Sequence, residues 1–288
     1  MKHAYLIMAH EKLHQLEYLL KFLDDYRNDI FLHIDKKVNI ENYDFCKICK
    51  YSNVFFIKRR SVVWGDFSQI QLEIDLIKSA VNKNCYRYLH LLSGVDMPLK
   101  SQDYIHNFFE KYDGKEFVSF DINNTDALYN RCNYYYFFQK YVGRRNESLL
   151  AKLNFFFVDV QKKLKLQRIK DKKIFRKGAN WFSITDSFAK YILLKEPIIR
   201  KKFLYTICCD EVFLQTIMYN SYYYKNRYNE VDSLHANMRL IDWKRGNPYV
   251  WTDKDIFELK NTPYLFARKF DIDKSKSIID KLKKMIDK

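Results

Sequence analysis

LHLLSGVDMPLKS, residues 89–101, is the stretch on which the fold turns. An apolar run over 89–92 stops at Ser93-Gly94, passes one acid, Asp96, and meets Pro98 two residues later. A short apolar run closed by Gly and Pro reads as a buried strand. Ser101 then stands as N-cap before SQDYIHNFFEKY, whose apolar residues recur at helical spacing. Upstream, FSQIQLEIDLIKSAV (67–81) is a strongly periodic helix and NVFFI (53–57) a strand. DIFLHID (29–35) is another strand, EKLHQLEYLLKFL (11–23) a helix, and AYLIMA (4–9) the first strand. Downstream, EFVSFD (116–121) reads as one more strand. Strands alternating with helices predict an α/β chain with a mostly parallel central sheet flanked by helices. Ligands of such sheets bind beyond the carboxyl ends of the strands, where Asp35, Asp96 and Asp121 all fall.

The second half is less regular. Residues 130–175 are rich in Tyr, Phe, Lys and Arg, with no strong period of two. A short strand is expected around KGANWFSIT (177–185), followed by a helix over 188–194. CCDEVFLQTIMYNS (208–221) reads as a helix with Asp210 and Glu211 in its first turn, and KSKSIIDKLKKMIDK (274–288) as a basic amphipathic helix. No repeat and no Gly/Ser linker interrupts the chain. We therefore read one domain over 1–288, with a nucleotide-binding half (1–124) and a second half (125–288) that decorates the sheet.

Composition narrows the class. With 23 Tyr and 23 Phe but only 6 Gly and 4 Pro, the chain is no low-complexity or collagen-like sequence. Its 51 Lys and Arg against 35 Asp and Glu give a net charge of +16, which attracts nucleic acid, anionic lipid headgroups or a phosphorylated substrate. Cys46 and Cys49 form a C-x-x-C, but no second pair lies at zinc-ribbon spacing and no disulfide framework is implied. Nowhere does the chain approach the roughly eighteen uninterrupted apolar residues of a membrane span. Phosphate-cradling glycine loops, H-E-x-x-H and G-x-S-x-G are all missing, and the seven His lack metal-ligand spacing.

Asp96 reads two ways: as a turn acid accepting backbone N–H bonds, or as a carboxylate facing a ligand in a sheet-end cleft. Asp35, in HIDKK, has the same two readings. Asp210 and Glu211 either compensate a helix dipole or divide labour, one bonding structurally and the other acting as a base. Lys244 and Arg245, and likewise Arg268 and Lys269, are cations set among Trp, Phe and Leu, where phosphate binding competes with a solvated surface. His10, just after the first strand, is either a pocket residue or a turn histidine.

Eight segments in order carry a family resemblance: AYLIMAH, FLHIDKK, VVWGDFSQIQLE, LHLLSGVDMPLKS, KGANWFSIT, CCDEVFLQT, MRLIDW and YLFARKFD. Together, over 4–271, they resemble the core-2/I-branching β-1,6-N-acetylglucosaminyltransferase family, related to the protein xylosyltransferases. The resemblance implies a GT-A fold, a nucleotide-sugar donor, inversion at the anomeric carbon, and no cofactor or divalent metal. Asp271-Ile272-Asp273 is formally a D-x-D, but it lies in the final tail and is not read as a metal site. By the same resemblance Glu211 is the base and Lys269 binds the diphosphate, with Arg245 as its partner and Lys244 or Arg268 as alternatives. Ala9, His10, Asp35, Trp64 and Gly65 would shape the nucleotide pocket. Ser93, Gly94, Asp96, Trp181, Asp210 and Trp243 would face the sugar or the acceptor.

What the resemblance implies is a bacterial-type cytoplasmic glycosyltransferase of surface polysaccharide or glycolipid synthesis. Its donor would be UDP-GlcNAc, or another UDP-sugar such as UDP-xylose. A lipid-linked saccharide acceptor would bring it to anionic membrane, through its basic, aromatic surface and the C-terminal amphipathic helix. Nucleic acid is not an expected partner. The rival from another class, a polyanion- or nucleic-acid-binding protein, rests on charge and aromatics alone, and a catalytically silent sugar-binding member is a third reading.

Overall fold

The structure is a computed structural model describing residues 1–121, 125–144, 147–169, 171 and 174–287. Strand β1 (His3–Ala9) is buried along almost its whole length, as a strand covered on both faces must be. Helix α1 (Leu13–Leu23) returns the chain to β2 (Asn28–Ile34), and β3 (Asn53–Phe56) follows. Helix α2 (Ser68–Lys83) then leads to β4 (Tyr88–Ser93). β1 pairs in parallel with both β2 and β4, and β2 with β3. These are the strands and helices the periodicity predicts.

Past β4 the chain makes the two-residue β5 (Met97–Pro98), then α3 (Gln102–Lys111), whose cap Ser101 accepts from the Tyr104 N–H at 3.2 Å. Strand β6 is shorter than expected, Phe117–Val118 alone. Asp121 instead makes an isolated bridge with Lys177, because its N–H donates to the Lys177 carbonyl at 2.7 Å. The stretch with no strong period of two holds α4 (Thr125–Asn133), α5 (Gln139–Val142) and α6 (Leu149–Lys163). β7 (Phe182–Thr185), α7 (Asp186–Leu194), α8 (Glu196–Phe203) and α9 (Phe213–Tyr219) come next. The chain ends with β8 (Arg239–Ile241), α10 (Ile256–Asn261), β9 (Phe266–Arg268) and α11 (Ile272–Ile286).

The main sheet runs β3-β2-β1-β4-β7-β6, and β7 is antiparallel to both neighbours. With Tyr88 opposite Thr185 and His90 opposite Ser183, the residues just before β7 lie beside the carboxyl end of β4. A small sheet, β5-β9-β8, sets Met97 opposite Ala267, so that Asp96 and Arg268 face one another. Two apolar clusters cover the main sheet. One gathers α2, α7 and α9, the other α1, α3 and α11.

Two further expectations are revised. The helix expected to start at Cys208 is broken: Cys208 takes φ 48°, Cys209–Glu211 forms one 3-10 turn, and α9 starts only at Phe213. The reason is a tertiary bond, since the Glu211 carbonyl accepts the Gly178 N–H at 2.9 Å. The amphipathic face of α11 is likewise not free for a membrane, because Ile278, Ile279 and Leu282 are wholly buried in the core. The last residue of that expected helix, Lys288, lies outside the described residues. Asp271 caps α11, accepting the Asp273 N–H at 3.2 Å, and Lys12 pairs with both acids. The tail D-x-D is therefore a helix start. Among the described residues no helix is long and apolar enough to cross a membrane.

Candidate functional site

Asp96 is 3% exposed, and its carboxylate is surrounded by donors. The Ser93 N–H reaches Oδ2 at 2.7 Å, the Ser93 hydroxyl reaches Oδ1 at 2.9 Å, and Arg268 donates to Oδ1 at 2.9 Å. Asp96 thus closes the turn after β4 and anchors an arginine. The Arg268 guanidinium also donates to Ser93 Oγ and lies 4.6 Å from the Trp181 ring centroid. Gly94 packs closely in this turn: a Cβ there would sit 3.2 Å from that of Ala9. Ser93, Gly94, Asp96, Trp181 and Arg268 therefore come together at the carboxyl end of β4.

Lys269, next along, makes no side-chain hydrogen bond or ion pair with the described residues. Its backbone is held on both sides, its N–H donating to the Tyr249 carbonyl at 3.3 Å and its carbonyl accepting the Trp251 N–H at 3.1 Å. A fixed main chain with an uncommitted ammonium suits an anion. Arg245 is in a different situation. Asp242, Asp255 and Glu258 all accept from it, and its guanidinium stacks 4.3 Å from Tyr249 and 5.1 Å from Trp251. It braces the Lys269 segment from the outside. Lys244 is exposed, and its N–H donates to Asp242 at 2.7 Å. Trp243 is 62% exposed, two residues beyond Ile241, which pairs with Arg268.

The acid pair occupies the 3-10 turn. Glu211 is half-exposed, with Arg131 donating to Oε2 at 2.8 Å. Asp210 is buried beneath it and accepts from Gln69 Nε2 at 2.9 Å. Gln69 Oε1 accepts the Gly65 N–H, and the Gly65 carbonyl accepts the Cys208 N–H at 2.9 Å. The Trp64-Gly65 loop and the acid turn are thereby knitted together. Gly65 sits at φ +73°, where a side chain would be strained. Burial pushes the Asp210 carboxyl up to about 7, with the neighbouring Glu211 charge adding to the effect. Deeper still, Glu73 on α2 is fully buried with neither carboxyl oxygen hydrogen-bonded among the described residues, and burial raises its carboxyl well above the ordinary carboxylate range.

One short segment joins the acid turn to the arginine: Gly178 binds the Glu211 carbonyl, and Trp181, three residues on, stacks with Arg268. At the β2 end, Asp35 accepts the Lys37 and Val62 N–H groups, each at 2.9 Å, and its own N–H donates to the Ala9 carbonyl at 2.8 Å. Asp35 and Ala9 are buried and shape the loop frame, whereas His10 is exposed and 3.6 Å from Glu11. Trp64 is 42% exposed under the Arg144 guanidinium, 5.5 Å from its ring centroid. Sequence reasoning missed Arg131, Gln69 and Glu73. Arg131 lies in a stretch without periodicity. Gln69 and Glu73 sit one turn apart on α2, where a Gln and a Glu read as ordinary surface residues.

Over 93% of its length the chain superposes on mouse xyloside xylosyltransferase 1 (97% of that chain), with a TM-score of 0.43 and 10% identity. In sequence it is similar to xylosyltransferase 2 of Canis lupus familiaris, 23% identical over 96% of this chain and 33% of the relative. It is also similar to xylosyltransferase 1 of Homo sapiens, 21% identical over 97% of this chain and 30% of the relative. The chain thus spans about a third of the length of the curated relatives it matches. Residues 3–262 match the family model of the Core-2/I-Branching enzyme, and on that match the chain belongs to this family.

Proposed function

We propose that the chain is an inverting glycosyltransferase of GT-A type that works without a divalent metal. It moves GlcNAc from UDP-GlcNAc onto a lipid-linked saccharide of bacterial surface polysaccharide or glycolipid, at the cytoplasmic face of an anionic membrane. The observation that supports the reading is the 178–181 segment, whose Gly178 N–H meets the Glu211 carbonyl and whose Trp181 ring stacks with Arg268. Arg131 holds Glu211 Oε2 and leaves Oε1 for the acceptor hydroxyl. In a single displacement that oxygen takes the hydroxyl proton while the acceptor oxygen bonds the anomeric carbon and UDP departs from the opposite face. The charge developing on the diphosphate meets Lys269, with Arg268 held beside it by Asp96. Asp96 and Asp35, the acids a metal would use at the strand ends, are bonded to backbone N–H groups and to Arg268. UDP-xylose is the second reading of the donor, favoured by the xylosyltransferase names of the relatives.

The test is transfer and UDP binding by Glu211→Gln. Donor affinity should hold while transfer falls by roughly two to four orders of magnitude. Near-parental transfer would remove Glu211 from the mechanism. Parallel assays with UDP-GlcNAc and UDP-xylose, with and without EDTA, separate the donors. Loss of activity in EDTA with rescue by Mn²⁺ would overturn the metal-free account.

A further inference from the structure

Helix α6 carries its polarity inside out. Its buried residues, Ala151, Asn154, Val158 and Gln161, fall on one helical stripe, and two of the four are amides. Both amides bond inward: Asn154 Oδ1 accepts the Phe138 N–H at 3.1 Å, and Gln161 exchanges bonds with the Tyr135 N–H and carbonyl at 2.8 and 3.0 Å. The opposite stripe, Leu149, Leu153 and Phe156, faces outward, Leu149 being 74% and Phe156 60% exposed. Leu164 and Leu166 extend it, at 64% and 49% exposed. A helix serving only its own core has the reverse pattern. A contiguous exposed apolar patch of this kind marks a surface with a partner.

The charges around the patch identify that partner. Lys152, Lys162, Lys163 and Lys165 flank it, all exposed, against the one acid of the helix, Asp159, which pairs with Lys162 at 3.0 Å. The whole chain carries +16. Pairing α6 with a second copy of itself would set lysines against lysines. An anionic bilayer accepts both features, taking the Leu and Phe side chains into the headgroup–acyl boundary and the lysines onto its phosphates. The patch also lies close to the site. Asn154 holds Phe138, and the adjacent Gln139 donates to the Trp64 carbonyl at 3.1 Å, so two hydrogen bonds connect α6 to the Trp64 loop.

We propose that α6 and its extension to Leu166, not α11, form the membrane-docking surface, and that they seat the enzyme with the Trp64 loop near lipid-borne acceptor. The inference rests on the membrane contact proposed above. Vesicle binding is read without sugar transfer, so the docking surface and the transferase reading can fail separately. The test is flotation of the full chain with vesicles of phosphatidylcholine containing about one-third phosphatidylglycerol, and with pure phosphatidylcholine. The parent should bind the anionic vesicles about tenfold or more tightly than the neutral ones, and Leu149→Asn/Leu153→Asn/Phe156→Asn should lose that binding. Lys152→Glu/Lys163→Glu, which alters only exposed groups, should weaken it roughly tenfold while the unfolding midpoint stays put. The inference is overturned if the parent does not float, if both variants float like the parent, or if the patch instead supports a dimer that sedimentation shows the apolar variant to lose.

Discussion

At the scale of single residues, the site separates cations by what already neutralises them. Arg268 has one carboxylate partner and an aromatic face, Arg245 has three carboxylates, and Lys269 has none among the described residues. A departing diphosphate is best served by a charge that is fixed in place but not yet paired. Lys269→Ala should therefore weaken UDP binding by on the order of 2–4 kcal/mol and reduce transfer with it, as read by calorimetry and a transfer assay. Arg268→Ala should follow in direction, with an added effect on the β4 turn because Asp96 is left without its counter-charge. Arg245→Ala should leave most of the UDP affinity and instead lower the stability measured by urea unfolding, by about 1 kcal/mol for so exposed a guanidinium. If Arg245→Ala abolishes UDP binding at unchanged stability, the assignment of Arg268 beside Lys269 is wrong.

Among elements, what could be read from the sequence follows from how local each cause is. β1, β2, β4 and α2 follow from apolar periods, and the strand ends at Asp35 and Asp96 could be placed from them. Arg268 could not be ranked above Arg245, because that depends on β5 pairing with β9 across more than 160 residues. The acid turn reads as helix in the sequence because its break comes from Gly178, in a distant segment. α6 is not legible in the sequence: a helix with its amides inward lacks the apolar period that reveals one. Gly178 itself carries a sharp prediction. A Cβ there would lie 1.9 Å from the Ser119 carbonyl oxygen and 2.9 Å from Gln215 Nε2. Gly178→Ala must push β6 from β7 or withdraw the N–H from Glu211, so we expect a loss of roughly 1–3 kcal/mol and a collapse of transfer. A variant with full stability and activity would mean that the 178–181 junction does not order the base. Deleting 274–288 should prevent folding, since it removes Ile278, Ile279 and Leu282 from the core, and circular dichroism would show it.

Across the whole molecule, two buried populations of titrating groups oppose one another. Burial lowers His3 and His90 well below 6.5 and brings His33 and His106 to about 4. Each is neutral in the fold and protonated in the unfolded chain below about pH 6.5, so the stability these four supply is present above that pH and lost as pH falls toward 4. Burial raises Glu73 well above 4.5 and carries Glu116 and Asp210 to about 7. These three hold a proton in the fold that the unfolded chain releases above about pH 4, so their contribution is full at low pH and lost as pH rises toward 7 and beyond. Between pH 5 and 6 the four histidines make unfolding take up protons while the three carboxyls make it release them, so about one net proton remains and the parent's stability should rise by only about 1.4 kcal/mol per pH unit. Glu73→Met with Asp210→Asn removes two of the releasing groups and keeps an acceptor for Gln69. The double variant should therefore gain stability from pH 5 to pH 6 more steeply than the parent, with Asp210 alone accounting for about 1.4 kcal/mol per pH unit. Urea unfolding at the two pH values measures the difference. Equal slopes would mean that Glu73 and Asp210 are already ionised in the fold, and a buried pair of charges would then sit directly beneath Glu211.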